Sequence, residues 1–174
     1  ITTDDLEVAQ FIYVLLNHKK LRDVFNTTTQ RGVLILGRFG GGGLDVLQAV
    51  ADSLRQHGLL PIIFDFERPR QRNYTETVIT LAGLCSFVIV DLSGPSVPQE
   101  LQAIVAATLR MPLVPIVEEG RKPAAMLADF QELDYFLGPP IRFNGIPALV
   151  AQIPERAIAP AQAWLEQRRN KLKN

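Results

Sequence analysis

Five short apolar runs, each about as long as one strand, recur along the chain between segments with helical periodicity, and this alternation narrows the fold more than any other feature. The runs are GVLILG (32–37), LPIIFDF (60–66), SFVIVDL (86–92), PLVPIV (112–117) and PIRFN (140–144). Between them the spacing predicts helices over 44–58, 74–85, 97–109 and 123–134, with one or two more in the tail from Ile146. Strand and helix in alternation mark an open parallel sheet covered on both faces. Runs such as VLILG and FVIV, apolar at consecutive positions, suit strands buried on both sides. Ahead of the first strand, residues 3–25 place apolar side chains at helical spacing behind a Thr-Asp-Asp start, which predicts one helix. NTTTQR (26–31) reads as a polar connector.

The expected fold class is therefore α/β: a flavodoxin-like open parallel five-stranded sheet, order 2-1-3-4-5, with helices on both faces, an extra N-terminal helix and a C-terminal helical tail. The expected parts are residues 1–30, a helix connecting from an upstream region because the chain starts at Ile1 without methionine; residues 31–153, the α/β domain; and residues 154–174, the tail. With 174 residues, 47% of them hydrophobic, the chain can fill one proper core. Its 18 Lys+Arg balance 18 Asp+Glu, so no overall field draws it to nucleic acid or an anionic membrane. No apolar run approaches membrane-spanning length. A single cysteine, Cys85, excludes an internal disulfide and a multi-cysteine zinc site, reads as a small buried hydrophobe, and fits a cytoplasmic setting. His18 and His57 have no i, i+4 partner, so no metal site is expected.

Ligands of such sheets bind beyond the carboxyl ends of the strands, where strand order reverses. For the order 2-1-3-4-5 that crevice lies between RFGGGG, after the first strand, and SGPSVPQE, after the third. The glycine loop contains neither G-x-x-x-x-G-K-[ST] nor an in-register G-x-G-x-x-G, which excludes a P-loop NTPase and the usual dinucleotide fingerprint. It is either a plain flexible turn or a backbone lip. As a lip, Gly40 and Gly41 let amides approach phosphate or ribose oxygens, Arg38 adds a cation, and Phe39 adds a ring able to stack on a base. On the facing wall Asp91 and Ser93 close the third strand, and Glu100 falls in the first turn of the next helix, where a carboxylate can also serve only the helix dipole. A receiver or flavin carrier is disfavoured. The end of the first strand lacks an acidic cluster for Mg²⁺, and the glycine loop lacks the Ser/Thr-rich phosphate pattern of a flavodoxin. No cofactor is expected.

Strand GVLILG, a helix ending in Gly58, strand PIIFDF, a long polar loop, the segment ETVITLAGLCSFVIVDLS and a Glu-Leu pair opening the next helix together resemble a bacterial TIR domain of the Toll/interleukin-1 receptor superfamily, over about residues 32–145. The related nucleoside 2-deoxyribosyltransferases share the strand-Asp-Leu-Ser/Thr-Gly-then-Glu arrangement. The resemblance implies that Glu100 is catalytic in cleaving the N-glycosidic bond of NAD, as substrate, or of a related nucleotide. One carboxylate near the anomeric carbon can stabilise or attack the oxocarbenium-like centre that develops there. On that reading Asp91 and Ser93 hold ribose hydroxyls, while Arg38 and the amides of Gly40 and Gly41 hold phosphate. The loop Glu67–Asn73, with Glu67, Arg68, Arg70 and Arg72, corresponds to the BB loop through which TIR domains self-associate. The implied role is an assembly-activated hydrolase of bacterial defence or signalling. Val97-Pro98-Gln99 stands where TIR domains carry an aromatic-cysteine pair, which favours a second reading, a non-catalytic interaction and oligomerisation module. ERPRQR has no interleaved aromatics, so nucleic acid is not an expected partner. Trp164 is placed to dock the tail.

Overall fold

The computed structural model describes residues 6–65, 74–94, 101–102, 104, 110–121 and 130–172. Helices α1 (Leu6–Asn17) and α2 (Lys19–Arg31) lead into strand β1 (Gly32–Gly37); α3 (Gly43–Gln56), β2 (Leu60–Asp65), α4 (Tyr74–Gly83) and β3 (Phe87–Asp91) follow. Further on come β4 (Leu113–Glu118), β5 (Ile141–Phe143), α5 (Ile146–Ile153) and α6 (Ala159–Lys171). All five strands are parallel, in the order β2-β1-β3-β4-β5 expected from the sequence. Leu36 lies between Phe64 and Val90, and Asp91 pairs with Ile116.

Period-two alternation sorts each strand's side chains between two cores. Val33, Ile35, Phe87, Ile89, Val114, Ile116, Ile141 and Phe143 pack under α3 and α5. Leu34, Leu36, Val88, Val90 and Leu113 pack on the other face with Val78 and Ala82 of α4 and with Leu101 and Ile104. Because both faces are covered, β1 and β3 are buried at every position. Helix α3 presents Leu47, Val50, Ala51 and Leu54, all fully buried, at the three- and four-residue spacing of one helical face. Each large member contributes roughly 1.5–3 kcal/mol by leaving water. Gly58 ends the helix in a left-handed conformation (φ 73°), and the Leu59 amide turns back to the Leu54 carbonyl.

Two sequence expectations need correction. The single helix over 3–25 is two, because His18 leaves the helical region (φ −105°, ψ 100°). NTTTQR is the last part of α2. Thr28 and Thr29 satisfy their hydroxyls on the carbonyls of Val24 and Phe25, so polar β-branched residues cost the helix little here. The helix then joins β1 with no linker. A side chain at Gly32 would stand 2.3 Å from the Thr28 carbonyl oxygen, so only glycine permits that join. The tail is helical, as expected: Pro154 cannot donate an amide, and the chain passes it through a π-helical turn (Pro154–Ile158) in which the Ala159 amide reaches back to the Pro154 carbonyl. Trp164 docks the tail by donating from Nε1 to the Asp134 carbonyl at 2.9 Å. Of the helix expected at 97–109, residues 101, 102 and 104 are described and helical. Most of the one expected at 123–134 lies outside the described residues. Among the described residues, no helix is long and apolar enough to cross a membrane.

Candidate functional site

Parallel strands end together, so the residues closing β1, β3 and β4 form one crest: Gly37 and Arg38, Asp91 to Gly94, and Glu118. Gly37 has no room for a side chain. A Cβ there would lie 2.6 Å from a Leu47 methyl and 3.0 Å from the Asp91 Cβ.

Asp91 is 1% exposed, and its Oδ1 accepts from the Ser93 amide at 3.0 Å and the Ser93 hydroxyl at 2.5 Å. The same hydroxyl accepts from the Glu118 amide at 2.8 Å. Ser93 therefore ties the end of β3 to the end of β4. Its hydroxyl hydrogen is committed to Asp91, and both groups are buried. The structure places the two residues assigned to ribose hydroxyls in an internal tie, where they shape the crest from below.

Arg38 leaves the end of β1 and crosses the crevice. A Cβ on Gly43 would sit 2.2 Å from the Arg38 carbonyl oxygen and 2.6 Å from its Cγ, and a Cβ on Gly94 would sit 3.3 Å from its Cδ. One glycine from each crest loop thus makes room for the arginine stem. The guanidinium reaches the end of β4, where Nη2 donates to Glu118 Oε2 at 2.9 Å, and Arg121 Nε lies 3.6 Å from the same oxygen. Arg38 Nε is buried and has no hydrogen-bond partner among the described residues. Glu118 and Gly94 are crest residues that reading the motifs missed. The signal for Glu118 is its position at the carboxyl end of an apolar run, where this fold puts its ligand contacts.

The glycine loop is less slack than four successive glycines suggest. The Gly43 amide donates to the Gly40 carbonyl at 3.2 Å, and the Leu44 amide to the Phe39 carbonyl at 3.4 Å. Gly41 (φ 61°) and Gly42 (φ 80°) hold left-handed conformations that other residues resist, and a Cβ on Gly42 would meet nothing within 4 Å. Phe39 packs against the α3-side core, so the ring expected to stack on a base serves as a packing group. Of the remaining sequence candidates, Glu100 and the loop residues Glu67, Arg68, Arg70 and Arg72 lie outside the described residues. No cluster of three or more His, Cys, Asp or Glu able to hold a metal occurs among the described residues.

No protein-family model matches the chain, and no curated protein matches it in sequence. Several solved structures share its architecture, two of them as follows. A diflavin flavoprotein A3 from Nostoc sp. superposes with a TM-score of 0.53 at 18% identity, covering 80% of this chain and 95% of the other. The rubredoxin oxygen:oxidoreductase of the anaerobe Desulfovibrio gigas gives a TM-score of 0.58 at 14% identity, covering 85% of this chain and 39% of that longer one. The fold is flavodoxin-like. Neither neighbour is a TIR domain. The expectation that no cofactor is involved is corrected by this finding. A protein named as a diflavin flavoprotein shares the fold, which points toward a flavin cofactor and not to none.

Proposed function

We propose that this chain is a flavodoxin-like binding module whose crest takes the phosphate-bearing end of a nucleotide, with Arg38 exchanging Glu118 for the ligand's anion. The observation that carries the reading is the state of Arg38: a stem held between Gly43 and Gly94, a half-exposed ion pair, and a buried Nε with no acceptor among the described residues. A buried donor without a partner costs about 1–3 kcal/mol. Turning the guanidinium onto a phosphate would relieve that cost and replace a single-oxygen contact with a two-pronged one. The open, left-handed Gly41 and Gly42 stand beside it. This combination fits the phosphate end of a nucleotide through a cation and main-chain amides, without the hydroxyls of a Ser/Thr-rich loop.

Two nucleotides share this chemistry. Flavin mononucleotide is suggested by the flavoprotein neighbour, and NAD by the TIR resemblance. A bound flavin supplies electron transfer, and the protein's part is to hold its phosphate and exclude water around it. With NAD, the resemblance adds Glu100 as the carboxylate that stabilises positive charge on the ribose during N-glycosidic cleavage, and Glu67–Asn73 as the loop that assembles active copies. A reducing cytoplasm suits Cys85, whose thiol burial pushes up to about 11 and keeps unreactive.

Titrating the purified chain with flavin mononucleotide, followed by flavin fluorescence, and with NAD, followed by calorimetry, separates the two. Saturable binding of either, lost at least about tenfold in Arg38→Ala, supports the reading. Binding of neither at millimolar concentration overturns it. NAD turnover that Glu100→Gln abolishes, in an assembled and folded chain, selects the hydrolase over the carrier.

A further inference from the structure

The turn after β4 brings a second arginine to the ion pair of the crest. Glu118, Glu119, Gly120 and Arg121 form a four-residue turn, closed by the Arg121 amide on the Glu118 carbonyl at 3.1 Å, with Gly120 left-handed (φ 80°) at its third position. The turn is anchored on both sides. The Glu118 amide donates to the Ser93 hydroxyl at 2.8 Å, and the Glu119 amide donates to the Phe143 carbonyl at 2.9 Å. Glu118 is therefore fixed at the crest by its main chain. Its Oε2 accepts from Arg38 Nη2 at 2.9 Å, while Arg121 Nε stands 3.6 Å from the same oxygen, beyond hydrogen-bond reach. Among the described residues, one carboxylate oxygen thus faces two guanidinium groups and bonds to one of them. The bonded one, Arg38, is 18% exposed; the waiting one, Arg121, is 54% exposed.

We infer that Arg121 is a positioning residue for the ligand's phosphate and acts through Glu118: when Arg38 turns onto the anion, Arg121 closes on the vacated oxygen and keeps Glu118 neutralised. The inference rests on the nucleotide-binding reading of the crest. Because its main chain is pinned, Glu118 stays where it is when Arg38 leaves. Without a second cation the exchange would set a bare carboxylate beside an incoming phosphate, and like charges at such range repel. Arg121 removes that obstacle with a small movement, from 3.6 Å to the usual hydrogen-bond distance of roughly 2.9 Å, made by a side chain that already faces solvent. Arg38 is placed for its part as well. A Cβ on Gly41 would stand 3.5 Å from Arg38 Nη1, so the guanidinium already reaches from Glu118 to the glycine loop. The two arginines then divide the work: Arg38 meets the ligand, and Arg121 holds the acid that Arg38 releases.

A double-mutant cycle in nucleotide affinity between positions 121 and 118 tests the inference. Flavin mononucleotide and NAD are both titrated, and the cycle is run with whichever saturates the chain. Arg121→Gln is expected to weaken binding about three- to fivefold, the range of one exposed ion pair. Arg121→Lys keeps the cation and should stay within about twofold of the parent, and in the Glu118→Gln background Arg121→Gln should change affinity by less than about twofold. Arg121 is exposed, and circular dichroism checks that the variants stay folded. A loss that persists in the Glu118→Gln background makes Arg121 a direct ligand contact, and affinity indifferent to Arg121→Gln makes it an ordinary surface charge. Either result overturns the inference alone, as long as Arg38→Ala still weakens binding. Binding of neither nucleotide, or binding indifferent to Arg38→Ala, overturns the reading of the crest and the inference with it.

Discussion

Replacing Ser93 by alanine removes one oxygen that serves two buried partners. Its hydroxyl donates to the Asp91 carboxylate, which is 1% exposed, and accepts from the Glu118 amide, so both partners lose a contact at once. Asp91 keeps the Ser93 amide as a donor. A hydrogen bond to a charged group is worth about 1.5–3 kcal/mol, and an amide left without an acceptor costs about 1–3 kcal/mol when buried. The Glu118 amide is only part-buried and the terms overlap, so the expected loss is about 2–4 kcal/mol. At a urea m-value of about 2 kcal/mol per molar, the unfolding midpoint falls by about 1–2 M. Asp91→Asn keeps an acceptor for both Ser93 donors and is expected to cost less. Urea unfolding followed by circular dichroism measures all three proteins. Were Ser93 a ligand contact instead of a tie, Ser93→Ala would unfold within about 0.5 kcal/mol of the parent and lose nucleotide affinity instead. That outcome would refute the internal tie.

The glycine loop should discriminate between adjacent positions. Gly42→Ala has open space and pays only the left-handed conformation, about 1–2 kcal/mol, whereas Gly43→Ala drives a methyl into the Arg38 carbonyl and should cost more than about 3 kcal/mol by thermal unfolding. Cys85 should resist iodoacetamide in the folded protein at pH 8. Its folded pKa, about 11, is raised by burial above the usual 9.0, so its contribution to stability is complete below pH 9 and is lost as pH rises towards 11. Urea midpoints across that range should fall less steeply in Cys85→Ala. Trp164→Ala removes the bond to the Asp134 carbonyl and the packing of α6 on the α4-side core, at about 2–3 kcal/mol, and hydrogen exchange should show the α6 amides opening first.

The sheet was legible because a strand buried on both faces leaves a local trace. Each observed strand lies within a residue or so of its apolar run, and the order follows from the alternation with helices. The N-terminal helices were less legible. Their three-four apolar spacing passes through His18 unbroken, so periodicity alone shows no bend, and a run of threonines resembles a connector unless the hydroxyl bonds to Val24 and Phe25 are seen. At the site, the sequence placed Arg38, Asp91 and Ser93 at the strand ends, but it did not show that Asp91 and Ser93 bond to each other or that Arg38 pairs with Glu118. Arg38 is defined by Glu118, 80 residues away, and by Gly43 and Gly94, whose missing side chains make its path. Short buried ties such as Ser93 to Asp91 depend on which strand ends adjoin. No spacing within one segment encodes that.

The exchange of Arg38 between Glu118 and a ligand is tested most directly by comparing nucleotide affinity in Arg38→Ala and Glu118→Gln. The two residues form one ion pair, so loss of that pair as a structural contact would move both variants in the same direction. If Arg38 must leave Glu118 to bind phosphate, the variants diverge. Arg38→Ala should bind flavin mononucleotide or NAD at least about tenfold more weakly, and Glu118→Gln, which frees the guanidinium from a half-exposed pair worth about 1 kcal/mol, about fivefold more tightly. Affinity that falls equally in both variants, or changes in neither, would contradict the account.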